Sequence, residues 1–489
     1  MRSTALHSSF VALFAAALVG LGGCESSSSD SPSSSSSSSS GGSNSDPADP
    51  TADELANGGS CAKSTGAGTA HTGTISADET WSAATGPHRI TSNLVIKANV
   101  TVEACAVVLL APGASIDVGT STEAGKLVAA GTSAVAGASR DVRPVIFAAE
   151  DPNAPWTHIA AQPKGTVQLT VAALVSGGAA GAGEAGALLA VGVAGGTNFG
   201  DVTRNVLVDR VLIDKSASYG VHLTGWGAFD ANSSKLTIRA SGSADAPYAV
   251  RIEPGVAETL PAKLAATGNR QDAILMKTSK AFSRNDTLVN RGLPYHQKGA
   301  LYINPHEDGP AVTLRIEAGV TLAFDAEPSS GIYVGSSAVR PGVLDAVGTP
   351  AAPVLFTSAK ASKAAGDWAA LYFRAPAASG NRISYARVEY AGADSQSNSL
   401  GCGPKNNASA IIVQGVGAKN AAPGAFIDNT TFDNIAGTTV IVSGWEDDAG
   451  PNLSTGNTFG ASTPACKVSR PRRTGAGDVC DGGRDVCWP

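Results

Sequence analysis

Apolar residues in this chain come in short runs that alternate with polar ones and stop early. Asn93 to Ile96, Ala106 to Leu110, Leu127 to Ala129 and Val145 to Phe147 each end at Gly, Pro, Asn or Asp, or close to one. β-branched residues dominate the apolar positions, and turn residues recur too often to leave room for helices of ten or more residues. The pattern predicts short strands of about 3 to 6 residues separated by tight turns.

The pattern also repeats. Ser76 to Ala160 matches Arg284 to Arg374. Thr80, Pro87, Leu94 and Ile96 share their spacing with Thr287, Pro294, Leu301 and Ile303. The second copy then inserts Asn304-Pro305-His306-Glu307-Asp308-Gly309-Pro310. Val102-Glu103-Ala104-Cys105 answers Ile316-Glu317-Ala318-Gly319, and Gly125 to Thr132 answers Gly342 to Thr349. Pro144 to Phe147 answers Pro353 to Phe356, and Trp156 answers Trp368. Further on, Val208 to Trp226 aligns without a gap to Ile427 to Trp445. A tandem duplication of a strand-rich module predicts parallel strands stacked one repeat above another, with ladders of apolar side chains inside.

The G-x-L-x-A-x-G-T element, the P-V-x-F element and the tryptophan after it resemble the right-handed parallel β-helix of the pectin-lyase-like class. The order of modules, the serine-rich tether and the cysteine-rich end resemble β-helical surface lipoproteins of myxobacterial type. The fold expected is therefore all-β: a right-handed parallel β-helix solenoid with an internal tandem duplication. One module spans residues 61–283 and the second 284–489. A pair of β-sandwiches is the rival architecture. The alanine-rich stretch Gly177 to Gly196 departs from clean rungs and is expected as a lid or an insertion.

The N-terminus has another character. Met1 to Ser9 carries Arg2 and leads into an apolar run from Phe10 to Val19, too short for the roughly 20 residues that span a bilayer. This is the form of a secretory signal peptide. Leu21-Gly22-Gly23-Cys24 resembles the lipobox of bacterial lipoproteins, which implies removal of residues 1–23 and lipid attachment at Cys24. Two or more acyl chains anchor stably, so the membrane is an expected partner. Glu25 stands where the inner-membrane retention signal of such lipoproteins usually shows Asp, so an outer-membrane address is expected, and the resemblance to surface lipoproteins implies a place at the cell surface. Residues 24–60 are dominated by serine and expected as a disordered tether, with an r.m.s. span of roughly 30 to 35 Å for about 35 residues.

Composition narrows the chemistry. The chain has 489 residues, 43% hydrophobic but only 5% aromatic, with 57 glycines, which suits tight turns and small core side chains. A net charge of −6 offers no field for nucleic acid, and Arg470, Arg472 and Arg473 read as a solvated tail. Cys61, Cys105, Cys402, Cys466, Cys480 and Cys487 form an even set in an exported chain, which implies disulfides but allows 15 pairings. Proximity and order favour Cys61 with Cys105, Cys402 with Cys466, and Cys480 with Cys487. Cys105 stands where the second copy has Gly319, so a bond from Cys61 is expected to pin a capping segment over the N-terminal end.

No catalytic set is legible. Asp447-Asp448 is the only D-D, without the G-H-G or R-I-K elements that accompany it in polygalacturonases. His71, His88, His158, His222, His296 and His306 form no H-x-x-x-H or H-E-x-x-H element, and no metal or cofactor is expected. His306-Glu307-Asp308 and Glu446-Asp447-Asp448 read as solvated turns rather than cation sites. Trp81, Trp156, Trp226, Trp368 and Trp445 read as packing residues rather than a sugar platform, since four of them recur in both copies. Asn205, Asn381 and Asn429 read as turn residues. Two functions remain: a non-catalytic surface protein for adhesion, matrix contact, glycan binding or envelope structure, and a polysaccharide lyase or glycoside hydrolase with a divergent site. The first is favoured.

Overall fold

A computed structural model describes residues 49–487, apart from 65, 137–138, 180–185, 193–201, 225–226, 278–281, 283, 328, 338, 375–378, 396–407, 414–424, 444–451 and 474–479. Strands visit three faces in turn and pair in parallel with the strand on the same face of the neighbouring coil, except for the antiparallel pairs Thr132–Ala136 with Ser139–Arg143 and Cys466–Arg473 with Cys480–Cys487. The arrangement is a parallel β-helix. In the first copy, Asn99–Glu103, Val107–Leu110 and Ile116–Val118 lie on the first, second and third faces; long strands such as Gly165–Val175 turn a corner and serve two. In the second copy the same order is held by Val312–Ile316, Thr321–Phe324 and Gly331–Val334.

Period-2 alternation is the local cause. Gly125–Ala130 has Leu127 and Ala129 inside while Lys126, Val128 and Ala130 are half-buried on the outside. Stacking in register then builds columns. Leu94, Ile116, Ile159, Leu189, Val221, Val250 and Ile274 follow one another on the third face. The column continues without interruption into Tyr295, Leu322, Phe356, Val388 and Phe432 of the second copy. All of these are buried. Each such side chain contributes about 1.5–3 kcal/mol relative to exposure, so the column is a main source of stability.

That column crosses the junction out of phase with the sequence repeat. The duplication equates Pro87 with Pro294, hence His88 with Tyr295 and Leu94 with Leu301. Yet Tyr295 stacks on Ile274, in the column of Leu94, while Leu301 belongs to a separate sheet with Ile332. The second face of the second copy thus extends the third face of the first. Asp286 marks the slip. Its buried carboxylate accepts hydrogen bonds from the backbone N–H groups of Gly255, Ala257, Glu258 and Thr287, at 2.8 to 3.2 Å.

Two expectations are corrected. The stretch Gly177 to Gly196 contains a regular rung, Ala187–Val191, paired on both sides. Gly177 lies against the Trp156 indole, where a Cβ would come within 2.6 Å of a ring carbon. Residues 49–60, read as the end of a tether, form a strap. Thr51 and Glu54 make a capping box on helix Ala52–Ala56, which satisfies backbone donors at its start. Leu55 fills an apolar notch of Val142, Val171, Ala173 and Leu212 on the outside of the second face. Asp49, Asp53 and Glu54 pair with Lys235, Arg239 and Arg140. The strap lies along the flank of several coils, whereas the sequence pointed to a cap over the end.

Candidate functional site

Outward positions of a solvated sheet are normally polar. On the third face of the first copy they are aromatic and cationic instead. In-register strands place Tyr219 beside Tyr248, and His222 beside Arg251, Leu275 and His296. Lys277 and Lys298 are directly opposite each other on adjacent strands. Like charges at such a position oppose pairing.

Part of this face borders a hollow of about 450 Å³, lined by Tyr219, Tyr248, Lys277, Lys298, Asp325 and the turn Ser243 to Pro247, with His222, Arg251 and His296 behind the lining. The turn is closed by the Ser243 hydroxyl, which accepts from Ala246 N–H at 3.1 Å. The Arg251 guanidinium lies 5.6 Å from the centre of the Tyr219 ring, and Tyr248 meets His296 edge-on at 5.4 Å. Both contacts hold the aromatic walls in place.

Burial governs the charge states. It pushes His222 down to about 3, with Arg251 adding to the effect, and His296 down to about 4, with Lys363 adding. Burial, together with Asp325 and Tyr219, raises Tyr248 to about 12. The Asp325 carboxyl is raised by burial and by Glu327, against an opposing pull from Lys298. The hollow offers two phenol rings, two lysine side chains and the Asp325 carboxyl. That set can grip a polar ligand by aromatic faces and hydrogen bonds.

None of these groove residues was singled out from the sequence, where alternation would turn Tyr219 and Tyr248 inward with Val221 and Val250. The sequence candidates fall elsewhere. Cys24 lies outside the described residues, as do Cys402, Trp226, Trp445 and Glu446-Asp447-Asp448. Cys61 is bonded to Cys105 with a Cα separation of 5.3 Å. Cys466 is bonded to Cys487, which overturns the pairs Cys402 with Cys466 and Cys480 with Cys487. The reason is geometric. Cys480 and Cys487 are the two ends of one strand, antiparallel to Cys466–Arg473, and an extended strand of that length holds its ends roughly 23 Å apart.

Trp81, Trp156 and Trp368 are buried, and their packing role holds. Trp156 donates to the Val175 carbonyl at 3.0 Å, and Trp368 to the Glu389 carbonyl at 2.8 Å, the same bond in both copies. Asn205 donates to Gln162 and Gly165 carbonyls, Asn381 accepts from Leu344 N–H, and Asn429 has a positive φ of 45°. All three serve corners. His306-Glu307-Asp308 is exposed, with Asp308 paired to Arg340. Among the described residues no group of three His, Cys, Asp or Glu is placed to hold a metal ion, and no helix is long and apolar enough to cross a membrane.

No protein-family model, curated protein or solved structure matches the chain.

Proposed function

We propose that this chain is a lipid-anchored β-helix of the outer membrane, facing the cell surface, that binds a glycan or matrix component through the groove on its third face without cleaving it. The observation that carries the reading is the lining of the groove, where Tyr219 and Tyr248 accompany the opposed Lys277 and Lys298. An acid–base catalyst works best with a proton affinity near the ambient pH. The described lining holds no histidine, and burial raises Tyr248 to about 12. Opposed lysines beside two tyrosines instead suit recognition of a polar, ring-shaped ligand.

The lipobox-like Leu21-Gly22-Gly23-Cys24 supports the anchor, and the Ser-rich stretch that follows supports display away from the lipid headgroups. Asp325, whose carboxyl burial raises above its ordinary range, favours the second reading, a polysaccharide lyase or glycoside hydrolase. A glycan panel separates the two. Retention of unmodified glycan by the purified chain, lost in Tyr248→Ala and Lys298→Ala, is expected. Release of unsaturated or reducing sugars, abolished by Asp325→Asn, would establish the second. Loss of envelope association in Cys24→Ala tests the anchor separately.

A further inference from the structure

The first coil encloses a cluster of three rings, two of them imidazoles that can titrate. His71 of strand Thr69–Ile75, Trp81 of strand Glu79–Trp81 and His88 of strand His88–Ile96 have ring centroids 4.3, 5.2 and 5.4 Å apart. His88 is 1% exposed, and the His71 side chain 9%. A chain of polar contacts runs through them. A Glu79 carboxylate oxygen lies 3.2 Å from Nδ1 of His71 and accepts the Trp81 indole N–H at 2.8 Å. Nε2 of His71 is 3.0 Å from Nδ1 of His88, and Nε2 of His88 is 3.0 Å from the Ser82 carbonyl.

Both ends of this chain, a carboxylate and a carbonyl, can only accept. Three links therefore need three ring protons, one on Nδ1 of His71, one between the two rings and one on Nε2 of His88. Two neutral imidazoles supply two. One added proton completes the chain, with its charge balanced by Glu79. A second added proton would set two N–H groups against each other across 3.0 Å and would require the rings to part.

We propose that Glu79, His71 and His88 form a site for a single proton, and that uptake of a second opens the N-terminal end of the solenoid. Glu79 is the charged group facing the pair from the neighbouring strand. Arg89, next to His88, is partly exposed and pairs with Glu150. Burial holds both imidazoles below the ordinary histidine range, with Glu79 opposing it. The sign follows: the opened end binds more protons than the closed one, so closure is strongest above the ordinary histidine value and weakens as pH falls below it.

The test is a titration of the full chain from pH 8 to 4, following the ring nitrogens of His71 and His88 by NMR and amide exchange of residues 69–75. The expected result is one shared step in which the pair takes up one proton. A second uptake then coincides with faster opening of residues 69–75, by up to about tenfold per pH unit for one extra proton. Glu79→Gln, at a partly exposed position, is expected to move the first step to lower pH. Two independent single-ring steps, or acid protonation of both rings with exchange unchanged, would overturn the proposal. So would a Glu79→Gln titration identical to the parent's.

Discussion

Cys105 and Gly319 occupy the same corner of the two copies, both left-handed, with φ of 66° and 78°. Glycine adopts this conformation freely, whereas a residue with a Cβ is strained by about 1–2 kcal/mol. The first copy accepts that strain and gains a bond to Cys61 across a sequence separation of 44. The chain-entropy model gives about 4 kcal/mol for a loop of this size. Cys61→Ser is expected to lower stability by about 3–4 kcal/mol. Cys105→Gly loses the same bond but relieves the corner, so it is expected to be the milder change by about 1 kcal/mol. Urea unfolding of both variants checks the order.

Leu55 anchors the strap in its notch, while the acidic pairs around it are partly exposed and individually weak, within about 1 kcal/mol. Leu55→Ala is expected to cost about 2–3 kcal/mol locally and to make residues 49–60 accessible to protease. Asp53→Ala is expected to have little effect. Cleavage at equal rates in the two variants would contradict this division.

Burial raises the Asp286 carboxyl to about 6, above its ordinary value near 4, although four backbone donors face it. The folded chain then holds this proton where the unfolded chain has released it. The contribution is fully present below about pH 4 and is lost as pH rises to about 6. Asp286→Asn is expected to remove that slope from the urea midpoint between pH 4 and 6. It is also expected to weaken the junction, since an amide NH₂ cannot accept from the backbone donors.

Trp368 stacks on Phe324 at 4.3 Å and is fully buried. Trp368→Ala is expected to cost about 3–5 kcal/mol. Ligand binding per folded molecule should be unchanged, because this indole lines no part of the groove. A stable variant that had lost binding would return the tryptophans to the recognition surface.

The solenoid was legible because its inward positions, such as Leu127, Ala129, Val145 and Phe147, obey one alternation and recur in the second copy. What escaped depends on contacts between distant residues. The capping box Thr51 to Glu54 was present in the sequence, but its serine- and proline-rich surroundings read as tether. The slip at the junction had no local signature, since Tyr295 is as apolar a counterpart to Ile274 as to the residues its repeat would predict. The groove was hidden for a related reason. Tyr219 and Lys277 lie 58 positions apart in the chain, and only stacking makes them neighbours.

The strap decides how the fold would carry a load. A pull on the chain ahead of Asp49 arrives at Lys235 in the later coils of the first copy, and then reaches Arg239 and the Leu55 notch in turn. These contacts let go one after another, paying out a dozen residues of slack. The Cys61 to Cys105 bond then halts the peeling and passes the tension to the corner at Cys105. The strap thus works as a shock absorber with a covalent stop.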